Sequence, residues 1–445
     1  MREHSIITDD GIAALETAMH CWNAGATFRK ERSRNKAYTF GDQWKDSINV
    51  DGHTMTEEEY ILREGNIPLK NNLIRRLVRN VVGVFRNRLA ERMGKWNADD
   101  MARATQNNME ELYARTMEEF LISGMAVHRK WKGSRQGSEG IWTDVVSPGA
   151  FFFDPDARDP RGADISVVGQ VHELPLPAFC KAFALHETDF RAFQRFYRGG
   201  RVKVIELWRR EIRQRRLCHD RDNARILKVD EDLWRESPRL RAMPSRWMAD
   251  DVWRFYYITA EGMLLRHGDS PFPKGGHPYV FKGYPFLDGE IHSFVADIID
   301  QQRYTNRLIS LYDWMMRASA KGVLLFPEEA LPRGGDIEEV ADQWSRFNGV
   351  IAYRPKPGQP LPQQVNGNVS NVGIGDLLAI QLKMMEDVSG VNGALQGKIE
   401  SLGMSGKLYS QQTENSLTSL RDILDTFDSF ISDSLSKERQ MAEGQ

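Results

Sequence analysis

The sequence predicts an α+β subunit, and three observations carry that prediction. Apolar residues recur at helical spacing before Ser123 and again after Glu290. Between these regions lie short β-branched and aromatic runs punctuated by Gly and Pro, the signature of strands. One helical stripe, starting at Glu290, holds for about 25 residues. A rod that long is hard to bury inside one small domain and packs more naturally beside copies of itself or a second long helix.

The bulk properties set limits. At 445 residues the chain is long enough for two or three ordinary domains or one elongated subunit of several parts. Hydrophobic residues make up 41% and charged residues 27%, so it folds without being rich in core. Lys and Arg total 60 against 62 Asp and Glu, a formal charge of −2, which excludes a globally basic grip on nucleic acid. Any DNA contact is therefore local. Cys21, Cys180 and Cys218 are widely spaced without a CxxC pair, fitting packing thiols in a reducing compartment. The opening MREHSIITDDG lacks a basic patch followed by an apolar stretch, and no window approaches 18 apolar residues. The expectation is a soluble protein, intracellular where it is made, with no membrane contact.

Taken in order, Ile12 to Trp22 reads as a short helix. The basic run FRKERSRNK after it is either a solvated N-terminal arm or a nucleic-acid patch. Pro68 precedes a long helix whose Leu73, Leu77, Val81, Val84 and Phe85 share a face, with Arg75, Arg76, Arg79, Arg86 and Arg88 interleaved. A second helix is expected from Asp99 to about Ile122. After Ser123-Gly124, the runs AVHRKWK, IWTDVV, FFFD, SVVGQVHEL, VKVIELWRR and VWRFYYITA read as strands, the last turning through AEG into MLLRHG as a hairpin. The basic stretch RREIRQRRLCHDRDNAR is either a solvated strand edge or loop, or a contact for acidic partners.

From Glu290 the stripe comprises Ile291, Phe294, Val295, Ile298, Ile299, Leu308, Ile309, Tyr312, Met315 and Met316, on a rod of roughly 40 Å. Gly322 ends it, and VLLFPEEAL with GVIAYRP begins a small α/β insertion reaching Gly375. A shorter helix, DLLAIQLKMMEDVSG, and the Gly-rich VNGALQGKIESLGMSG follow. The last helix is expected from Lys407 to Leu435, with Leu417, Leu420, Leu424, Phe427, Ile431 and Leu435 on one face.

No catalytic pattern emerges. A phosphate loop needs G-x-x-x-x-G-K-[ST] after a strand. Gly393 to Gly397 is one residue short and Ile399 replaces the hydroxyl, while Gly406-Lys407 is followed by Leu408. In FDPDARD, Asp154, Asp156 and Asp159 lie close together, but the twelfth loop position is Ile165 instead of Glu, so an Asp-capped turn is the better reading than a Ca²⁺ loop. HExxH and GxSxG are absent. The expectation is no catalytic residue, no metal and no cofactor.

The order of several segments carries more than any one of them. FGDQW (Phe40–Trp44) resembles the opening signature of podovirus-type portal proteins of tailed bacteriophages. GNIPLKNNLIRRLVRNVVGVFRNR, ISGMAVHRKW and SPGAFFFDPDARDPRGADISVVGQVHEL are similar to the family segments that follow. HPYVFKGYPFLDGEIHSFVADIIDQQRYTNRL carries the D-x-QR-x-x-N core at Asp300, Gln302, Arg303 and Asn306. VSGVNGALQGK and SGKLYSQQTENS resemble the later Gly- and Gln-rich segments, so the likeness covers about Phe40 to Phe430.

The resemblance implies a portal-type subunit with a mixed α/β wing, a long helical stem and a small clip. About twelve copies would form a closed ring. Residues 1–39 would be an N-terminal arm, 40–289 wing, 290–321 the stem helix and 322–375 the clip. Residues 376–390 would be a second stem element, 391–406 a tunnel loop and 407–445 a C-terminal helix returning to the wing. A crown, frequent in the family, would be absent or lie beyond this sequence. Ile291, Val295, Ile298, Tyr312 and Met315 would pack stem against stem, with Lys398 and Lys407 near DNA in the channel or merely solvated. The implied partners are further copies of the chain, the terminase large subunit, the major capsid protein, head–tail adaptor or tail proteins, and double-stranded DNA. The implied location is the portal vertex of the virion after assembly in the host cytoplasm. The rival readings are a head-completion or connector protein without a channel, and a packaging nuclease or ATPase.

Overall fold

A computed structural model describes residues 8–135, 137–196, 200–220, 223–272, 276–321, 323–331, 335–345, 350–355, 357–358, 360–365, 373–393, 395 and 417–443. The chain divides into two compact units. The first comprises Met1–Phe40, Ile74–Asp297 and Ser389–Gln445, and the second Gly41–Leu73 and Ile298–Val388.

In chain order, helices α1 (Asp9–Ala24) and α2 (Ala26–Phe40) precede strands β1 (Ser47–Val50) and β2 (His53–Thr56). Helices α3 (Glu57–Arg63), α4 (Leu73–Met93), α5 (Ala98–Gln106) and α6 (Met109–Ser123) follow. Next come β3 (Met125–Arg135), β4 (Ser138–Val145), β5 (Phe151–Phe153), β6 (Val167–Pro175), α7 (Leu176–Phe183) and α8 (Glu187–Phe196). Strands β7 (Arg201–Asp220) and β8 (Arg225–Asp230), helices α9 (Glu231–Glu236) and α10 (Pro238–Arg241), and the hairpin of β9 (Ser245–Thr259) and β10 (Leu264–Asp269) continue the chain. It ends with β11 (Tyr279–Gly283), β12 (Pro285–Leu287), β13 (Glu290–Ile291), α11 (Phe294–Lys321), β14 (Val323–Leu325), α12 (Ile337–Ser345), β15 (Gln363–Val365), α13 (Ile374–Ser389) and α14 (Arg421–Glu443). Helices and antiparallel sheets make it α+β, as the sequence predicts.

In the first unit, a six-stranded sheet runs in the order β10-β9-β7-β6-β5, with β8 also on β7, and a three-stranded sheet runs β11-β3-β4. Their facing side chains form a core that includes Met125, Val127, Phe151, Val168, Trp208 and Tyr279. Helix α1 lays Ala14, Ala18 and Cys21 on the other side of the large sheet, against Phe152, Ile205, Leu207 and Ile258. Small residues on the helix let it approach the sheet closely. Gly124, at φ +77°, caps α6 in a left-handed conformation that a side chain disfavours, and so turns helix directly into β3.

Three expectations are corrected here. The basic run Phe28–Lys36, read as a solvated arm or a nucleic-acid patch, forms the body of α2. Arg32 forms a two-pronged ion pair with Glu119 (2.7 Å), Arg29 lies over the Trp22 ring, and buried Asn35 donates to the Ile122 carbonyl. The helix expected over Asp99–Ile122 is two helices. Asn107 turns its side chain to β4, donating to the Ile141 carbonyl (2.9 Å) and accepting from the Thr143 N–H (2.8 Å), and Asn108 adopts φ 51°. The basic stretch after Trp208 belongs to β7, paired with β9 along Val204–Cys218 and on its other edge with β6 and then β8. Its charges are met within the chain. Arg215 lies 2.7 Å from Asp230 and 3.0 Å from Asp250, and Arg216 lies 2.7 Å from Glu231 and over the Trp234 ring.

The FDPDARD turn is held by its own carboxylates. Asp164 accepts from the Arg158 and Asp159 amides (2.6 and 2.9 Å), and Asp154 accepts from Asp156 N–H (3.0 Å). Helix α14 closes the unit by setting Phe427 edge-on to Phe85 (5.0 Å) and tilted on Phe120 (5.4 Å). Ion pairs fix its flanks: Arg88 with Asp425 and Asp428, Lys282 with Asp433 (3.0 Å), Arg439 with Asp100, and buried Lys130 with Glu438. Glu206 is fully buried between the two sheets. Burial alone would raise its pKa, but the Arg129 guanidinium and hydrogen bonds from His172 (2.9 Å) and Trp208 (2.9 Å) bring it down to about 2.

The second unit is organised by an extended strap laid on α11. The Leu69 amide donates to Ser310 Oγ (3.1 Å), the Asn71 amide to Asn306 Oδ1 (3.1 Å), and the Leu73 amide to Gln302 Oε1 (2.9 Å). Two residues of extended chain advance about 6.6 Å and four residues of helix about 6.0 Å. The two periods therefore stay in step for three contacts, running in opposite directions. Pro68 helps, because it holds Ile67 out of helical conformation. The remaining valences close a buried network. Gln302 Nε2 donates to the Asn71 carbonyl (2.7 Å), Asn306 Nδ2 to Gln43 Oε1 (2.7 Å), and Gln43 Nε2 to Asn72 Oδ1 (3.1 Å). Trp44 adds its indole N–H to the Leu69 carbonyl (3.2 Å). Outside this knot, buried Glu57, first residue of α3, receives Arg303 and Arg307.

Two outcomes follow. Asn306→Leu strands Gln43 Oε1 and the Asn71 N–H, and is expected to lower stability in urea denaturation by about 2–5 kcal/mol. A loss under about 0.5 kcal/mol, the range of an inert surface change, would contradict the strap. For Glu206 the folded pKa lies below the unfolded one, so its contribution is complete above about pH 4.5 and disappears as pH falls towards 2. The stability gap between wild type and Glu206→Gln should therefore narrow by roughly 3 kcal/mol between pH 6 and pH 2. Urea midpoints across that range read it, and a constant gap would disprove the linkage.

Candidate functional site

Within the second unit, α11 and α13 bury one face and leave apolar side chains on another. On α11 the buried positions Ile298, Gln302, Thr305 and Asn306 face the strap and its neighbours. Tyr304, Leu311 and Trp314, at i, i+7 and i+10, lie on a different face and are each about half exposed. Beyond Leu308 the buried stripe itself emerges, with Tyr312 37% and Met316 51% exposed. The helix is thus a buried core helix at its beginning and an apolar surface at its end.

Helix α13 has the same division. Ile374, Gln381 and Met385 are buried, and Gln381 reaches the Gln301 carbonyl of α11 (3.5 Å). Leu377, Ile380, Met384 and Val388, at i, i+3, i+7 and i+11, form a second apolar stripe that is about half exposed throughout. At 100° per residue these four fall within about 80° of each other, roughly a quarter-turn from the buried face. Asp376, Lys383 and Asp387 occupy the remaining arc. An apolar stripe this regular, on a helix that already has a buried face, marks a surface made to pack against something else.

The chemistry available here is association. Among the described residues, no group of three or more His, Cys, Asp or Glu converges as a metal site, and no helix is long and apolar enough to cross a membrane.

The residues singled out from the sequence fall in different places. Ile291 lies in β13, before the helix, half-buried against the core of the first unit. Val295 and Ile298 are fully buried in the single chain, Tyr312 is exposed, and Met315 is half-buried. Lys398 and Lys407 lie outside the described residues, as does most of the 391–406 segment. The α13 stripe and Glu57 were missed. For α13 the signal was present, since Leu377, Ile380, Met384 and Val388 already have helical spacing; the sequence does not say that a neighbouring set, Ile374, Gln381 and Met385, takes the buried side.

The D-x-QR-x-x-N core now has a structural meaning. Gln302 and Asn306 hold the strap, Arg303 holds Glu57, and Asp300 is left in solvent 4.0 Å from Arg303. FGDQW supplies Gln43 and Trp44 to the same knot, and PLKNNL supplies the strap itself. Three segments that resemble one family, far apart in sequence, thus meet in one hydrogen-bonded network. No curated protein matches the chain. The family model described as Phage P22-like portal protein matches residues 15–443, nearly the whole length. The chain belongs to the Phage P22-like portal protein family, a structural component of the phage virion.

Proposed function

We propose that the chain is one subunit of a ring at a single capsid vertex, through which double-stranded DNA is packaged and later ejected. The observation that carries the reading, beside family membership, is the presence of two separate exposed apolar stripes on one unit. A two-fold dimer uses one self-complementary patch, whereas a closed ring needs two different patches, each meeting the other on the next copy. The Tyr304–Leu311–Trp314 face of α11 and the Leu377–Ile380–Met384–Val388 face of α13 supply two.

In this reading residues 290–321 and 376–390 are the stem, with Tyr312 and Met315 packing on the neighbour and Val295 and Ile298 seating the helix root. Ile291 stands just past the wing, residues 40–289, at the start of the stem segment. Residues 322–375 form the clip, which docks the terminase large subunit and then the head–tail adaptor or tail proteins. The major capsid protein surrounds the ring. The tunnel-loop role of 391–406, with Lys398 and Lys407 near DNA, belongs to the same proposal.

Charge supports conduction over gripping. Each subunit carries −2. A ring of about twelve would carry about −24. Duplex DNA bears one negative charge per about 1.7 Å, so such a ring repels it mildly and lets it slide.

Negative-stain images and sedimentation of the purified chain should show rings with a central pore; a stable monomer or dimer under all conditions would refute the proposal. Ile380→Asp combined with Met384→Asp should yield folded monomers by circular dichroism and sedimentation, with ring formation reduced at least about tenfold, since buried carboxylates cost several kcal/mol. Rings of unchanged yield would remove α13 from the interface. Lys398→Ala with Lys407→Ala should lower packaging or ejection efficiency while rings form normally, and wild-type packaging would discard that assignment.

A further inference from the structure

A titratable cluster lies under the C-terminal helix of the first unit. His128 and Lys130, two residues apart on β3 and therefore on one face of the strand, are both fully buried against α14. The His128 ring is packed between Tyr113 of α6, stacked at 5.5 Å, and Phe430 of α14, edge-on at 4.8 Å. Tyr113 also donates its hydroxyl proton to Ser434 of α14 (3.0 Å). Lys130 reaches Glu438 of α14 and the Thr143 hydroxyl of β4 (2.7 Å). The helix therefore forms the lid of a polar chamber floored by β3.

The hydrogen bonds place the ring proton. Thr116 gives its hydroxyl proton to the Leu112 carbonyl (2.7 Å), so its oxygen accepts from His128 Nε2–H (2.7 Å). Nδ1 is left as a bare lone pair, buried and without a hydrogen-bond partner. A second proton there would add an unmatched N–H and a full charge to a sealed interior. The ionisable groups around the ring offer no counter-charge. Lys130 on its own strand is cationic, and Glu438 on α14 is held by Lys130. Tyr113 is the ionisable group that α6 brings, and Lys282 on β11 is paired with Asp433 (3.0 Å). Strand β4 adds Thr143 and Val145. Burial first, and then the Lys130 charge, holds His128 well below the usual histidine range.

We propose that His128 makes the docking of α14 acid-labile, the helix lifting from the first unit as the ring takes up a proton. The docked helix seals the ring and accepts only its neutral form. A lifted helix lets water reach Nδ1, and the ring then ionises near its usual value of about 6.5. The docked value lies below the open one, so docking is undiminished above about pH 6.5 and weakens as pH falls below it. One proton per helix changes the docked-to-lifted ratio about tenfold per pH unit. Glu206 acts in a different window, since its contribution is lost only below about pH 4.5. Lifting α14 would uncover Phe85, Phe120 and Tyr113, which Phe427 and Phe430 cover in the docked state. Acid would thus open an apolar face on this unit.

Amide hydrogen exchange on the full chain between about pH 5 and pH 8, corrected for the intrinsic pH dependence of exchange, tests this. Protection of α14 should be level above about pH 6.5 and fall about tenfold per unit below about pH 6, while that of β7 and β9 stays constant. His128→Gln keeps a donor for Thr116 but cannot titrate, and should leave α14 protection level throughout. The proposal is overturned by level protection of α14 in the wild type, by a fall that β7 and β9 share equally, or by a fall that survives His128→Gln. Should that variant not fold, exchange of the imidazole C2 hydrogen on the wild-type chain decides the matter, read on the peptide holding His128. A midpoint well below about 6.5 supports the proposal, and an ordinary midpoint in the docked chain refutes it.

Discussion

Everything in the second unit depends on a coincidence of two periods. An extended chain and an α-helix run side by side in step only when two residues of one match four of the other. The Leu69–Leu73 strap and the Gln302–Asn306–Ser310 ladder meet that condition. Side chains four apart on a helix lie on one face, and alternate amides of an extended chain point one way, so each contact reinforces the next. Gln43 completes the network by both donating and accepting, so its amide is tied to the strap and to α11 at once. A polar knot of this kind specifies register more sharply than an apolar contact, because a shifted strap would strand buried donors. With one face of α11 fixed in this way, its other face is left to carry Tyr304, Leu311 and Trp314 outward.

The first unit solves a different problem, that of many arginines on a chain of nearly zero net charge. The charges are not spread as a solvent-facing patch. They lie along β7, and β8, α9, β9 and, one strand further, β10 bring Asp230, Glu231, Asp250 and Asp269 into range. Helix α14 repeats the device with Arg88, Lys282 and Lys130 along its flanks. Local neutralisation removes the attraction that a basic stretch would exert on an acidic partner.

Much of this was legible in the sequence. The helices before Ser123, the β-rich middle, the hairpin of β9 and β10, and the buried face of α14 all follow from apolar period and turn residues. The readings that failed did so for one reason. Asn107 breaks a helix because β4 offers its side chain better partners, and the Phe28–Lys36 run is no loose arm because Glu119 and the Ile122 carbonyl hold Arg32 and Asn35. In both cases the deciding partner is distant along the chain, and local propensity carries no information about it.

The sequence by itself determined the fold class, the order of elements and the family, because these are written in period, turn chemistry and the succession of segments. Only the tertiary structure decided which side of each amphipathic helix is consumed inside the chain. Val295 and Ile298 share a stripe with Tyr312, yet the first two are sealed and the third is not, since the parts that cover the helix end near Leu308. Periodicity reports that a face is apolar. What covers it depends on where the rest of the chain runs out, and that is settled by packing among residues hundreds of positions apart.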